Sequence, residues 1–234
     1  MKKFNGVPPV VQLGSGMDRI SLKIDLHVHT RFSRDAVNDF PDIDSACTRL
    51  GVDGYAICDH DTIDGLGIGK SSGLVVIPGL EVTARGAHIL CLDPVEVVPS
   101  GLSISETVER IHSQGATAVL AHPRALPRSF VSIRQAGEAG FDAVEVANTA
   151  QIPFGLVMSW NRDLARTLKL PETGGSDAHF PETIGRSYTV VESESRDPKD
   201  IIRAIREGRT RAYGAGTKVS ERLLRLRQLL SGKV

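Results

Sequence analysis

The chain predicts an α/β fold, a single-domain barrel of about seven strand-then-helix repeats, on three observations. Short apolar runs alternate with helical stretches along most of the sequence, an order that builds βα units and a parallel sheet. Its 234 residues suit one core, since barrels of about 200–250 residues routinely form one domain. No low-complexity stretch divides it.

Residues 1–21 are expected to be a loose lead-in, because Pro8, Pro9 and several glycines interrupt the apolar core that a signal peptide needs. The barrel is expected to fill residues 22–234. It opens with the strand "SLKIDLHV", the helix "FPDIDSACTRLG" and the strands "VDGYAIC" and "LVVIPGLEV". Between the last two, "DGLGIGKSSGL" is too short and glycine-rich for a crossover helix, so that wall is expected to be thin or open. "AHILCL" follows, then the helix "SISETVERIHSQG", in which Ser103 and Glu106 make a capping-box pattern and Gly115 a stop. The strand "ATAVLAH", a helix near 131–139, "FDAVEVAN", a helix near 155–168, "ETGGSDAH" and "SYTVVES" complete the alternation. The tail "SERLLRLRQLLSG" places leucines at 223, 224, 226, 229 and 230. That pattern is an amphipathic helix suited to the barrel base or to pairing two copies of the chain as a homo-oligomer.

With 28 basic and 28 acidic residues, no global field draws the chain to nucleic acid or anionic lipid. Cys47, Cys58 and Cys91 follow no metal or redox spacing, and an odd number argues against a disulfide framework. They read as reduced thiols of a cytoplasmic protein. A run long enough for a transmembrane helix, about 18 apolar residues, is absent.

Asp25, His27 and His29 alternate along the first strand and so share a face. Such a pair alone is weak evidence for a metal, because histidines hydrogen-bonded within a strand look the same. The neighbours decide the matter. His27, His29, His60, His88, His122 and His179 fall at or just beyond the C-terminal ends of predicted strands, with Asp35, Glu81 and Asp177 at matching places. In a β/α barrel those ends converge on one mouth. Histidine and carboxylate without cysteine suit zinc, manganese or iron in open coordination. A catalytic ion takes about three protein ligands, so this set implies about two to three divalent ions.

"DLHVHT", "AICDHDT", "PGLEV", "LAHP" and "GGSDAH", in this order, resemble the motifs of the PHP (polymerase and histidinol phosphatase) superfamily, a match spanning residues 22 to 193. The resemblance implies a distorted seven-stranded TIM-like barrel with a trinuclear metal centre that hydrolyses phosphoesters. By it, His27, His29, Glu81 and Asp177 hold the first ion, Glu81 bridges to a second held by His122 and His88, and Asp35, His60 and His179 hold the third. Asp35 stands where some members have histidine, and the position of His88 varies among branches. The chain also has little room for the substrate-capping domain of nucleotide-acting relatives.

Three divalent ions set against Asp35, Glu81, Asp177 and one hydroxide leave a surplus of about two positive charges, which complements a phosphomonoester dianion. The expected mechanism is in-line attack by a hydroxide bridging the ions across Glu81. Arg124 in "AHPRA" and Arg186 in "ETIGRS" are candidates for binding substrate and stabilising the transition state, with a solvated surface arginine as the alternative for each. Asn148 is a candidate substrate contact or a loop cap. Asp25 and Asp59 adjoin ligand histidines and could orient their rings. His112 suits the end of a helix, and Cys58 reads as a small buried residue.

The first choice of substrate is a small phosphorylated metabolite or nucleotide. Short single-stranded oligonucleotides or nucleoside bisphosphates come next, as substrates of an exonuclease or phosphodiesterase. The few aromatic residues offer no clear stacking platform for a strand. Amidohydrolases also use an HxH pair, but commonly with a bridging lysine carbamate, and no lysine ends a predicted mid-chain strand here. A non-catalytic RNA-binding barrel of the ribonuclease P type would show a basic footprint, which the neutral composition lacks.

Overall fold

The computed structural model describes residues 19–68, 73–125 and 129–217. Most of the expected lead-in and all of the amphipathic tail helix lie outside the described residues. Strand β1 (Ile20–Val28) leads into helix α1 (Phe40–Leu50), then β2 (Gly54–Ile57), β3 (Val75–Ile77), β4 (Gly79–Ala84) and β5 (Ala87–Leu92). Helix α2 (Ile104–Ser113), β6 (Thr117–Ala121), α3 (Ile133–Ala139), β7 (Ala143–Asn148), α4 (Phe154–Leu168) and β8 (Glu172–Gly175) follow. The described chain closes with β9 (Ser187–Ser193), α5 (Pro198–Arg206) and β10 (Thr210–Gly214).

The helices begin where local chemistry starts them. Asp39 accepts from the Phe40 N–H at 2.9 Å, with Pro41 in the first turn and Gly51 left-handed at the end of α1. The expected capping box opens α2, with Ser103 and Glu106 bonding each other's backbone N–H. Ser132 and Gln135 repeat the device at α3. Asp197 and Pro198 start α5, whose Ile201, Ile202, Ala204 and Ile205 are buried. That helix and β10 follow the last strand read from the sequence.

The strands form two five-stranded sheets, ordered β10-β9-β1-β2-β3 and β4-β5-β6-β7-β8. The mixed α/β fold is as expected, but the distorted seven-stranded barrel does not appear as one closed, parallel sheet among the described residues. Of the eight neighbour pairs, only β1·β2, β2·β3, β6·β7 and β7·β8 are parallel. The reason is local. A turn at Arg85–Gly86, with Gly86 at φ 82°, reverses the chain between β4 and β5, and a hairpin makes antiparallel neighbours where a crossover helix would make parallel ones. Pro78 splits "LVVIPGLEV" into β3 and β4, which edge different sheets. The thin wall expected near residues 64–74 thus adjoins the place where the chain changes sheets.

Two isolated bridges bring the sheets together, Val28 with Ala178 and His60 with Glu81. At Gly175 the contact between β8 and β1 leaves no room for a side chain, since a Cβ there would lie 2.6 Å from the His27 backbone nitrogen. One core cluster draws Leu22, Ile24 and Leu26 of β1 together with Leu90, Leu92 and Val119 of the other sheet and with α5. A second lies under α2, α3 and α4, and a third joins α1 to Tyr55 and Ile57. No described helix is long and apolar enough to cross a membrane.

Candidate metal centre

The rim where the two sheets meet collects the histidines and carboxylates singled out in the sequence. His27 is the penultimate residue of β1 and His29 follows the strand, both fully buried. His60 lies beyond β2, His122 beyond β6, and Asp177 and His179 beyond β8. His88 reaches the same rim differently. It sits near the start of β5, which runs antiparallel, and is paired with Ala121 beside His122. Glu81 lies within β4 rather than at its end.

Glu81 is the centre of the arrangement. Its Oε1 is 2.9 Å from His88 Nδ1 and 3.0 Å from His122 Nε2. Its Oε2 is 3.3 Å from His27 Nε2, His29 Nε2 and His60 Nδ1. Asp177 Oδ1 adds contacts of 3.2 Å to His29 Nε2 and 3.6 Å to His27 Nε2. Asp35 Oδ2 lies 3.3 Å from His179 Nε2 and 3.7 Å from His60 Nε2.

Among the described residues, four groupings of donor atoms are compact enough to hold an ion. His27, His29, Glu81 and Asp177 form one, the same four as in the first expected site. His60, Glu81 and His88 form another, while His122 groups with His27 and Glu145. The last comprises His29, His60 and His179. The spatial partition therefore pairs His60 with His88, and Asp35 approaches the last group from its edge.

The donor set fits a cation on its own chemistry. His27 Nε2 and His29 Nε2 face each other at 3.1 Å, a contact that a proton on one ring satisfies in the metal-free protein and that a cation between the two lone pairs would satisfy in its place. The opposite nitrogens are anchored: His27 Nδ1 lies 3.0 Å from Glu145 Oε1, and His29 Nδ1 lies 3.1 Å from Ser33 Oγ. A neutral His27 that donates its Nδ1 proton to Glu145 would turn its Nε2 lone pair to the centre. His122 Nδ1 is buried with no hydrogen-bond partner among the described residues.

Electrostatics couple these groups tightly. Burial penalises charge on His27, yet Glu145, Glu81 and Asp177 outweigh it and raise its pKa well above the usual value. Burial likewise disfavours the His29 imidazolium, but hydrogen bonds to Asp177 and Glu81 push its pKa up to about 9. His60 goes the other way, to about 4, because burial dominates there. Glu81 and Asp177 are buried, but the histidines, His27 foremost, hold both carboxylates well below the normal range.

Two of the five described non-glycine residues with positive φ belong to this cluster. His122 and Asp177 have φ of 26° and 53°, in the left-handed region that non-glycine residues rarely enter. Compensating bonds hold them: the His122 N–H donates to Glu145 Oε2 at 2.9 Å, and the Asp177 N–H to the His27 carbonyl at 2.8 Å.

Other candidates sit around this cluster. Arg124 lies two residues beyond His122, half-buried, with its guanidinium 5.1 Å from the Phe130 ring centroid. Arg186 Nε donates to the Glu182 carbonyl at 3.1 Å. Asn148 is fully buried, and its amide donates to Glu145 Oε2 at 3.0 Å and to Asp177 Oδ2 at 3.3 Å. Asp25 and Asp59 touch no imidazole. Asp25 accepts backbone N–H groups of His27, Ser176 and Gly185, and Asp59 binds Thr30. The orienting roles considered for them belong instead to Glu145 and Ser33. A lone glutamate in the apolar strand "AVEVAN", buried along its whole length, was the available signal for Glu145.

Comparison with known proteins finds likenesses in sequence and in fold. A family model described as PHP-associated matches residues 161–210. An uncharacterized protein of Methanocaldococcus jannaschii is 34% identical over 116 residues, covering 44% of this chain and 68% of that protein. A two-domain protein of Bacteroides vulgatus, described as containing a predicted PHP-like metal-dependent phosphoesterase, superposes with a TM-score of 0.65 at 20% identity, over 91% of this chain and 70% of its own. A lesion-specific endonuclease of Pyrococcus furiosus also scores 0.65, at 18% identity, over 82% of this chain and 58% of its own.

Proposed function

We propose that the chain, which matches a PHP-associated family model over residues 161–210 and shares its fold with a protein containing a predicted PHP-like phosphoesterase, is a PHP-superfamily metal-dependent phosphoesterase acting on a phosphomonoester, a small phosphorylated metabolite or nucleotide. One observation carries the reading. Glu81 presents one oxygen to His88 and His122 and the other to His27, His29 and His60, so a single buried carboxylate lies between two sets of imidazoles as a bridging ligand does. Divalent ions held by these residues with Asp177, Asp35 and His179 would activate water near neutral pH and neutralise phosphoryl oxygens.

The chain's own residues do the rest. Glu145 fixes the His27 tautomer, and Asn148 steadies Glu145 and Asp177 together. Arg124 and Arg186 take up charge developing on the phosphoryl group. No protein nucleophile is required, and Cys58 is unsuited to that role, since burial raises its thiol pKa and Sγ is directed at the Leu26 carbonyl. A second reading, cleavage of a diester in a short oligonucleotide, draws support from the resemblance to the endonuclease and from the exposed Phe130 ring beside Arg124, which offers a face for a base.

The test is hydrolysis of p-nitrophenyl phosphate, its bis ester and a short oligonucleotide by chelator-stripped protein reloaded with manganese, zinc or iron. Metal-dependent monoester turnover that His27→Ala loses supports the proposal. Preference for the bis ester or oligonucleotide replaces it with the second reading, and turnover of lactones without any phosphate ester overturns both.

A further inference from the structure

Helix α4 buries one face and leaves an apolar row uncovered on another. Val157, Asn161, Leu164 and Ala165 are buried, whereas Leu156 is 48% exposed, Trp160 45%, and Ile152, two residues before the helix, 64%. Their spacing of four residues sets Leu156 and Trp160 on one line of the helix, and Ile152 lies in the segment that leads into it. Single exposed apolar residues need no explanation, but a contiguous group marks a contact surface.

The described chain ends beside the head of this row. Thr217 donates its N–H and its hydroxyl to the Thr149 carbonyl, at 3.1 and 3.0 Å, and Thr149 is three residues before Ile152. A Cβ on Gly216 would stand 2.8 Å from Cβ of Phe154, the first residue of α4. Residues 218–234 depart from that point. They carry Val219, Leu223, Leu226 and Leu230 at helical spacing, and five basic residues against the single acidic Glu221. Because the whole chain is neutral, the remainder is net acidic and attracts this segment. As a helix, Val219 to Leu230 would span about 16 Å, and it begins two residues beyond Thr217, so the row is reached without a linker.

We propose that residues 218–230 dock as an amphipathic helix, in cis, along Ile152, Leu156 and Trp160 of the same chain. This inference is independent of the catalytic reading. It moves a segment expected at the barrel base or between two copies to the helix that follows β7.

Trp160 is the only tryptophan of the chain and reports docking directly. The full-length protein is compared with a Leu223→Ser, Leu226→Ser, Leu230→Ser variant, and with Leu224→Ser, which lies off the apolar row. Emission maximum and acrylamide quenching are read in each after circular dichroism has shown a wild-type melting transition. Docking predicts a red shift and stronger quenching in the triple variant, with no change in Leu224→Ser. Equal quenching in wild type and triple variant overturns the proposal. Protection that disappears on dilution, together with a dimer in light scattering, overturns docking in cis and assigns the row to the tail of a second copy.

Discussion

Replacing Glu145 with glutamine removes one charge and exchanges one oxygen for an NH2 group at a site where both oxygens are used. Oε1 faces His27 Nδ1 at 3.0 Å, while Oε2 accepts the His122 N–H at 2.9 Å and the Asn148 amide at 3.0 Å. In Glu145→Gln the new amide has two orientations, and neither is satisfied. With its nitrogen toward His27, the imidazole must accept at Nδ1, which moves its proton to Nε2, the nitrogen facing His29 and Glu81. With its nitrogen toward His122, donors face donors in a buried place. Loss of a partner that orients a ligand typically weakens metal binding about 10- to 100-fold, which corresponds to about 1.4–2.8 kcal/mol. Competitive titration of zinc or manganese against a chromophoric chelator measures this directly. An affinity within about twofold of wild type would refute the role assigned to Glu145, because that is well below the usual cost of losing such a partner.

Further outcomes follow from the same geometry. Arg124→Ala is expected to lower ester turnover by about 10²-fold or more while leaving metal content unchanged, the signature of transition-state charge stabilisation; wild-type rates would return Arg124 to a surface role. Gly175→Ala forces a Cβ to within 2.6 Å of the His27 backbone nitrogen, so thermal unfolding should show a loss of about 1–3 kcal/mol and metal binding should weaken with it. In chelator-stripped protein, burial opposes the His29 proton but hydrogen bonds to Asp177 and Glu81 hold its pKa at about 9 against 6.5. A raised folded value adds stability that is complete below pH 6.5 and lost as pH rises through 9. The stripped protein should therefore melt at falling temperature across that window, and metal uptake at about pH 7.5 should release protons to an indicator dye. A flat melting profile without proton release would contradict the assignment.

The sequence disclosed the donor atoms better than the frame that gathers them. His27, His29, His60, His122, Asp177 and His179 were legible because strand patterning located each at a strand end, and those ends do meet at one rim. His88 reaches that rim for another reason, the reversal at Arg85–Gly86. Alternation of strand and helix suggests a parallel barrel when short turns are read as thinned crossovers. Here the turn between β4 and β5 and the antiparallel return of β9 and β10 make two mixed sheets. The role of Glu145 was not legible because a carboxylate that orients a ligand has no spacing motif; it depends on β7 lying beside β6 and β8, and on the close approach of β8 to β1 at Gly175. Asp25 adjoined the right residue in sequence, but its carboxylate is spent on backbone N–H groups.

The central claim is that one buried carboxylate, Glu81, joins two sets of imidazoles into a metal centre. The measurement that tests it most directly is metal content per chain, by inductively coupled plasma mass spectrometry after reloading and gel filtration, for wild type and Glu81→Gln. The account predicts about two to three equivalents in wild type, as the ligand set requires, and a loss of more than one equivalent in the variant, because both sets lose their shared ligand. Wild-type protein that retains no metal, or a variant that retains the full complement, would contradict it.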